Sequence, residues 1–309
     1  MLAGAPAEYG WDGGRPSLEE AKAWCARLAK SHYENFHVAT FLLPRKMRPH
    51  FEAIYAYCRV SDDLGDEVAD AATGTRLLGE WRGMLEEMYA APERSVHPGF
   101  VALQETVAAC GIPMQLFGDL LTAFERDQRK TRNASMAELI DYSKFSANPV
   151  GRLVLYASEQ ECREDARAWA LSDRICMGLQ LANFWQDVKE DAARGRIYLP
   201  QDLMAKFGVS EEDVLAGRSS AEFVGMMKEL VAGTRAMLRD GAGLERMVDG
   251  ELCVTLRLFR QGGERILDAI EAQGFDTLRG RPVVSKVAKV KLLMGALVGT
   301  VAARVGGGR

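Results

Sequence analysis

The sequence predicts an all-α protein, and three observations carry that expectation. Ten prolines leave long proline-free stretches at 50–91, 114–148, 150–199 and 201–281, and proline is what a long helix interior excludes, through ring clash and a missing donor. Those stretches are rich in Ala, Leu, Met, Glu, Lys and Arg, the better helix formers. No alternating apolar–polar run rich in Val, Ile and Thr competes with them.

The elements follow in order. Ser17-Leu18-Glu19-Glu20 has the form of a capping box and starts a helix running to about Ala29. A turn lies near Leu43-Pro44, and a long helix is expected from Arg48 to about Ala71. Further helices are expected at about 75–90, 97–110, 114–129, 135–143, 149–159, 163–191, 210–216, 219–240, 243–272 and 284–304, with 192–208 broken by Gly195 and Pro200. Residues 1–16, rich in Gly, Ala and Pro, read as a flexible end. Residues 17–309 read as one domain, without an internal repeat or a linker.

Composition narrows the classes of function. With 309 residues, 48% of them hydrophobic and 27% charged, the chain buries a core without help from disulfides or a structural metal. A net charge of −4 argues against a nucleic-acid partner, which favours a basic face. Six scattered cysteines form no C-x-x-C pair, which suits a reduced, cytoplasmic protein better than a secreted or zinc-stapled one. The N-terminus lacks the charged and apolar regions of a signal peptide. The C-terminal LLMGALVGTVAA follows Lys286, Lys289 and Lys291 and is too short to span a bilayer. It reads as a core helix or as a helix on a membrane surface with lysines toward headgroups.

The chemistry lies in SDDLGDEVAD (61–70) and NFWQDVKED (183–191). Asp62 and Asp66 are one helical turn apart on one face, as are Asp63 and Glu67 about 100° round. Asn183, Asp187 and Asp191 form an i, i+4, i+8 column. Stacked carboxylates repel by a few tenths of a kcal/mol per pair, roughly. The ordinary reading of one such pair is a solvated helix face. Two clusters, one led by Asn and neither interleaved with enough lysine, point instead to a divalent cation. Oxygen-only donors suit Mg²⁺, which takes one or two carboxylates and completes its shell with water and substrate phosphate. Tyr55 and Arg59 precede Asp62 on nearly the same face, and Arg194 and Arg196 follow Asp191. Guanidinium groups pair well with diphosphate oxygens.

HYENFHVATFLLP, AIYAYCRVSDDLGDE, YSKFSANPVGRLVL and LQLANFWQDVKEDAARGRIYLP resemble successive motifs of the squalene/phytoene synthase family, from about Ser31 to Pro200 and more weakly to about 291. The resemblance implies a single-domain isoprenoid synthase bundle around an apolar cavity. It implies that Asp62, Asp66, Asn183, Asp187 and Asp191 bind Mg²⁺, that Arg59, Arg196 and Arg281 contact diphosphate, and that Tyr55, Phe36, Tyr142, Gln180 and Tyr198 shape the cavity. Ser146–Gly151 reads S-A-N-P-V-G where relatives usually carry V-A-G-x-V-G. That departure resembles the bacterial hydroxysqualene synthases of the hopanoid pathway, although His37 stands where that subfamily has proline.

For that subfamily the implied substrate is presqualene diphosphate and the implied end of the reaction is capture by water, without NADPH. Tyr142 is then a candidate for placing the water or relaying its proton, and His32 and His37 lie near a motif without a clear role. The rival readings are a head-to-head prenyl transferase (presqualene diphosphate, squalene or phytoene synthase), a class I terpene cyclase, and a non-catalytic helical protein that binds isoprenoids or docks on membranes.

Overall fold

A computed structural model describes residues 2–31 and 46–285, and every described element is helical. Phe36, His32 and His37 lie outside the described residues, as does the expected helix at 284–304 beyond Ser285. The helices are α1 (Leu18–Ser31), α2 (Arg48–Asp66), α3 (Ala71–Ala90), α4 (Pro98–Cys110), α5 (Met114–Asp127), α6 (Met136–Ser146), α7 (Asn148–Ala157), α8 (Ala166–Gln186), α9 (Val188–Ala193), α10 (Gln201–Phe207), α11 (Glu211–Leu215), α12 (Ala221–Gly241) and α13 (Gly250–Ala272). The described chain forms two compact units, one of residues 1–129 with 152–163 and one of 130–151 with 164–309.

In the first unit α2 is the axis, packed by α1, α3, α4 and α5. Its buried Tyr57 donates to the Phe117 carbonyl (3.0 Å) and lies among Trp81, Phe100 and Phe117. The predicted capping box starts α1: Ser17 N–H donates to Glu20 Oε2 (2.8 Å) and Glu20 N–H to Ser17 Oγ (3.3 Å).

Two expectations about this unit need correction. Residues 2–16 do not fray: Leu2 and Tyr9 are buried, and Arg15 donates to the carbonyls of Pro92 and Ser95. An apolar residue and an aromatic anchor outweigh the disorder that Gly and Pro suggest. The helix expected to reach Ala71 stops at Asp66, because Asp70 caps α3 by accepting from Thr73 N–H (2.7 Å).

In the second unit α8 is the axis, packed by α6, α12 and α13. Asp165 starts it, accepting from the N–H groups of Arg167 and Ala168. The single helix expected over 163–191 is broken at Asp187, whose φ of −101° and ψ of 14° close α8 and open α9. The segment expected to be irregular, 192–208, contains α10, which Gly208 ends in the left-handed region (φ 73°). All six cysteines are free thiols. Among the described residues no helix is long and apolar enough to cross a membrane.

Candidate active site

Asp62 and Asp66 occupy the last turn of α2, which contains no basic residue. Carboxylates there face the negative end of the helix dipole, a position that favours a cation. Asp62 is half-buried and Asp66 exposed. Gly65 between them has a packing role: a Cβ there would come within 2.9 Å of Gln128 Nε2, which donates to the Gly65 carbonyl (3.1 Å).

Asp63 is different in kind. Its side chain is 4% exposed and forms an ion pair with Arg59, whose Nε donates to Oδ2 at 2.9 Å. The buried hydroxyl of Tyr9 donates to the same oxygen, and burial with the neighbouring Asp63 charge holds that phenol well above its ordinary range. Arg59, predicted to meet diphosphate, is thus anchored on Asp63 with Nη1 3.8 Å from Asp62. Neither Tyr9 nor the burial of Asp63 was legible in the motif, because the partner lies 54 residues away in sequence. Tyr55, two turns before Asp62, is half-buried.

In the second unit the Asn183–Asp187–Asp191 column survives the helix break. Asp187 N–H donates to the Asn183 carbonyl and Asp191 N–H to the Asp187 carbonyl, each at 2.9 Å. Burial, followed by the charge of Asp187, pushes the Asp191 carboxyl up to about 6, against the pull of Arg196 and Arg194. A carboxylate held this way is a place where added positive charge is favoured. Asn183 is exposed, and Asp187 and Gln180 are half-buried. Arg281 sits on Asp187 through Nε and Nη2, and Gln186 Nε2 donates to the Pro282 carbonyl (2.6 Å). The structure therefore places Arg281 on a predicted metal ligand.

Beside the column lies an aromatic group. Phe184 and Tyr198 stack with centroids 3.9 Å apart, and Tyr142 stands 6.4 Å from each. Asp191, Arg196, Tyr198 and Phe184 line one narrow crevice with Val188 and Val214. Phe184 was not singled out in sequence, although its place beside Asn183 is a signal that could have found it.

The donor set fits Mg²⁺. Both clusters offer only oxygen, the first lies at a helix end that disfavours unscreened carboxylates, and Asp191 is desolvated. Among the described residues no three His, Cys, Asp or Glu side chains form a ready-made cage. Mg²⁺ in phosphate sites does not require one, since water and phosphate oxygens complete its octahedron.

The helices, the two acidic segments and the aromatic group define an all-α fold with candidate metal-binding carboxylates, and comparison with known proteins gives the family. The squalene/phytoene synthase model matches residues 29–288, and the chain belongs to that family of isoprenoid synthases. Chloroplastic phytoene synthase 3 of Zea mays is 34% identical over 289 residues, covering 91% of this chain and 66% of the maize protein. The chain thus spans about two thirds of the length of that relative. Among solved structures, squalene synthase HpnC from Alicyclobacillus acidocaldarius is 38% identical with a TM-score of 0.79, covering 89% of this chain and 98% of that one. A dehydrosqualene synthase solved with a ligand shares the fold at a TM-score of 0.81 and 22% identity, covering 91% of this chain and 96% of that one.

Proposed function

We propose that the chain is a hydroxysqualene synthase, converting presqualene diphosphate and water to hydroxysqualene and diphosphate. The observation that carries this reading is the Ser146–Gly151 segment, with Asn148-Pro149 in place of the usual V-A-G-x-V-G wording. The 38% identity to squalene synthase HpnC over nearly all of that chain supports it.

Asp62 and Asp66, with Asn183, Asp187 and Asp191, would hold Mg²⁺. Bound there, the metal supplies positive charge to the oxygens of the leaving diphosphate. Arg59 and Arg196 add charge of their own, and preorganised cations at developing negative charge are often the largest catalytic contribution. Arg59 is suited to this because Asp63 and Tyr9 hold its position. Arg281 orients Asp187. The carbon–oxygen bond breaks with its electron pair going to diphosphate. The faces of Tyr142, Phe184 and Tyr198 stabilise a nearby cation by about 0.5–2 kcal/mol each without reacting with it. Tyr55, Gln180 and Phe36 would shape the space that the hydrocarbon fills. A cytoplasmic location, with peripheral membrane contact through the C-terminal segment, suits so apolar a substrate.

A second reading, head-to-head condensation of two prenyl diphosphates, is favoured by the 34% identity to a phytoene synthase. Incubation with presqualene diphosphate and Mg²⁺ in ¹⁸O-water, without NADPH, separates the two. An alcohol about two mass units heavier than its ¹⁶O form is expected, its oxygen taken from solvent in a closed site. Consumption of farnesyl or geranylgeranyl diphosphate, with presqualene diphosphate inert, would establish the condensing reading. A requirement for NADPH with squalene as product would make the chain a one-step squalene synthase.

A further inference from the structure

Asn148 opens α7 and is 3% exposed. Its Oδ1 accepts no hydrogen bond among the described residues. A buried amide oxygen without a donor forfeits its hydration with nothing in return, so packing alone would be better served there by an apolar side chain of the same size. Such an orphan calls for a donor that the described residues do not supply.

Its neighbours locate it. Gly151, one turn further along α7, seats against α8, where a Cβ would come within 2.2 Å of Ser172 Oγ and 2.6 Å of Cys176 Sγ. Tyr142, on α6, meets α8 at Phe184. Between Tyr142 and Gly151 the chain therefore runs along α8 from Phe184 toward Ser172 and Cys176, a span of about 15 Å at the helical rise. Asn148 falls between those two contacts. On α8 itself Ser172, Cys176, Gln180 and Asn183 share one face, within about 80° of arc. Asn148, one turn before Gly151 on the same side of α7, is thus directed toward that face of α8, which leads to the proposed metal ligands.

We propose that Asn148 Oδ1 is the acceptor that holds the water ending the reaction, which makes Asn148 a positioning residue that determines the product. The proposal rests on the hydroxysqualene synthase reading. Oδ1 accepts one O–H of the water, leaving a lone pair of its oxygen directed at the carbocation. The new carbon–oxygen bond forms from that lone pair. The proton released leaves on the diphosphate freed in the first step, and the amide orients the water without being protonated. Without that acceptor the cation would more often lose a proton to give an olefin.

The test compares wild type with Asn148→Ala, Asn148→Leu and Asn148→Asp on presqualene diphosphate and Mg²⁺ in ¹⁸O-water, with thermal unfolding recorded in parallel. Loss of one hydrogen bond predicts an alcohol share lowered about five-fold or more in Asn148→Ala, with olefins in its place and substrate still consumed. Asn148→Asp keeps an acceptor and should retain most of the labelled alcohol. If Asn148→Ala does not fold, the near-isosteric Asn148→Leu carries the same expectation. A wild-type alcohol share in whichever apolar variant folds overturns the proposal, as does an Asp variant that loses the alcohol as fully as they do. If wild type itself makes no alcohol from presqualene diphosphate, the functional reading fails and the proposal with it. Alcohol from wild type and from the apolar variant alike overturns the proposal alone.

Discussion

His97 shows how much of this molecule is decided by single buried polar groups. One ring nitrogen, Nε2, donates to the Tyr9 carbonyl at 3.0 Å, and the other, Nδ1, accepts from Gly99 N–H at 3.1 Å. Trp24 and Trp81 meet the ring edge to face. Protonation would place a second N–H against the Gly99 donor inside an aromatic box, and burial lowers the group from an ordinary 6.5 to about 4. The neutral form is the folded form. Its contribution is therefore complete above about pH 6.5, declines as pH falls, and is lost below about pH 4. We expect wild type to lose up to roughly 3 kcal/mol of stability over that window relative to His97→Gln, which keeps a donor and an acceptor but does not titrate. Parallel pH profiles of denaturant unfolding for the two proteins would refute this. Because His97 and Tyr9 are bonded, the same titration reaches the segment that holds Asp63 and Arg59.

Among the elements, α8 bears the closest contacts. Gly151 of α7, Gly263 of α13, and Gly241 at the end of α12 each come so close to α8 that an added Cβ would collide with it. At Gly241 the obstacle includes backbone: Leu171 O and Ile175 N would each lie 3.1 Å away, and Ile175 Cγ1 2.5 Å. Overpacking of this kind costs about 1–3 kcal/mol, so Gly241→Ala is expected to lower stability by that amount in urea unfolding. Gly233, exposed on the same helix with nothing within 4 Å of its built Cβ, is the control. There Ala should stabilise by about 0.5–1 kcal/mol, through helix propensity and a less flexible unfolded chain. Equal effects at the two sites would mean that the α12–α8 approach is not tight. These contacts pack the part of α8 that leads to Asn183, and the metal ligation proposed there needs a rigid support.

At the scale of the whole molecule, each acidic cluster is carried at the end of a helix whose remainder is the axis of its own compact unit. Asp66→Ala removes an exposed carboxylate from an unfavourable helix end, and Asp187→Ala removes the partner of Arg281. Each variant is expected to keep its unfolding free energy within about 1 kcal/mol of wild type, since neither opens a core cavity. Each is expected to lose turnover by about 100-fold or more, the scale on which charge stabilisation of a leaving group operates. Full activity in either variant, or in excess chelator, would remove the metal reading.

What the sequence determined by itself was whatever depends on near neighbours along the chain. Proline placement and composition settle the all-α class, because helices are built from contacts within four residues. The capping box at Ser17, the spacing of Asp62 with Asp66, and the Asn183–Asp187–Asp191 column are legible for the same reason. The tertiary structure decided what depends on distant partners. It docks residues 2–16 instead of leaving them loose, assigns Asp63 to Tyr9 and Arg59 and so sets it apart from Asp62 and Asp66, seats Arg281 on Asp187, and adds Phe184 to the aromatic group. It also leaves Asn148 Oδ1 buried without a donor among the described residues, whereas the sequence marks that residue only as a departure from a motif. The physical reason is common to all of these: burial and hydrogen-bond satisfaction are set by groups that folding brings together from far along the chain, and no local spacing encodes them.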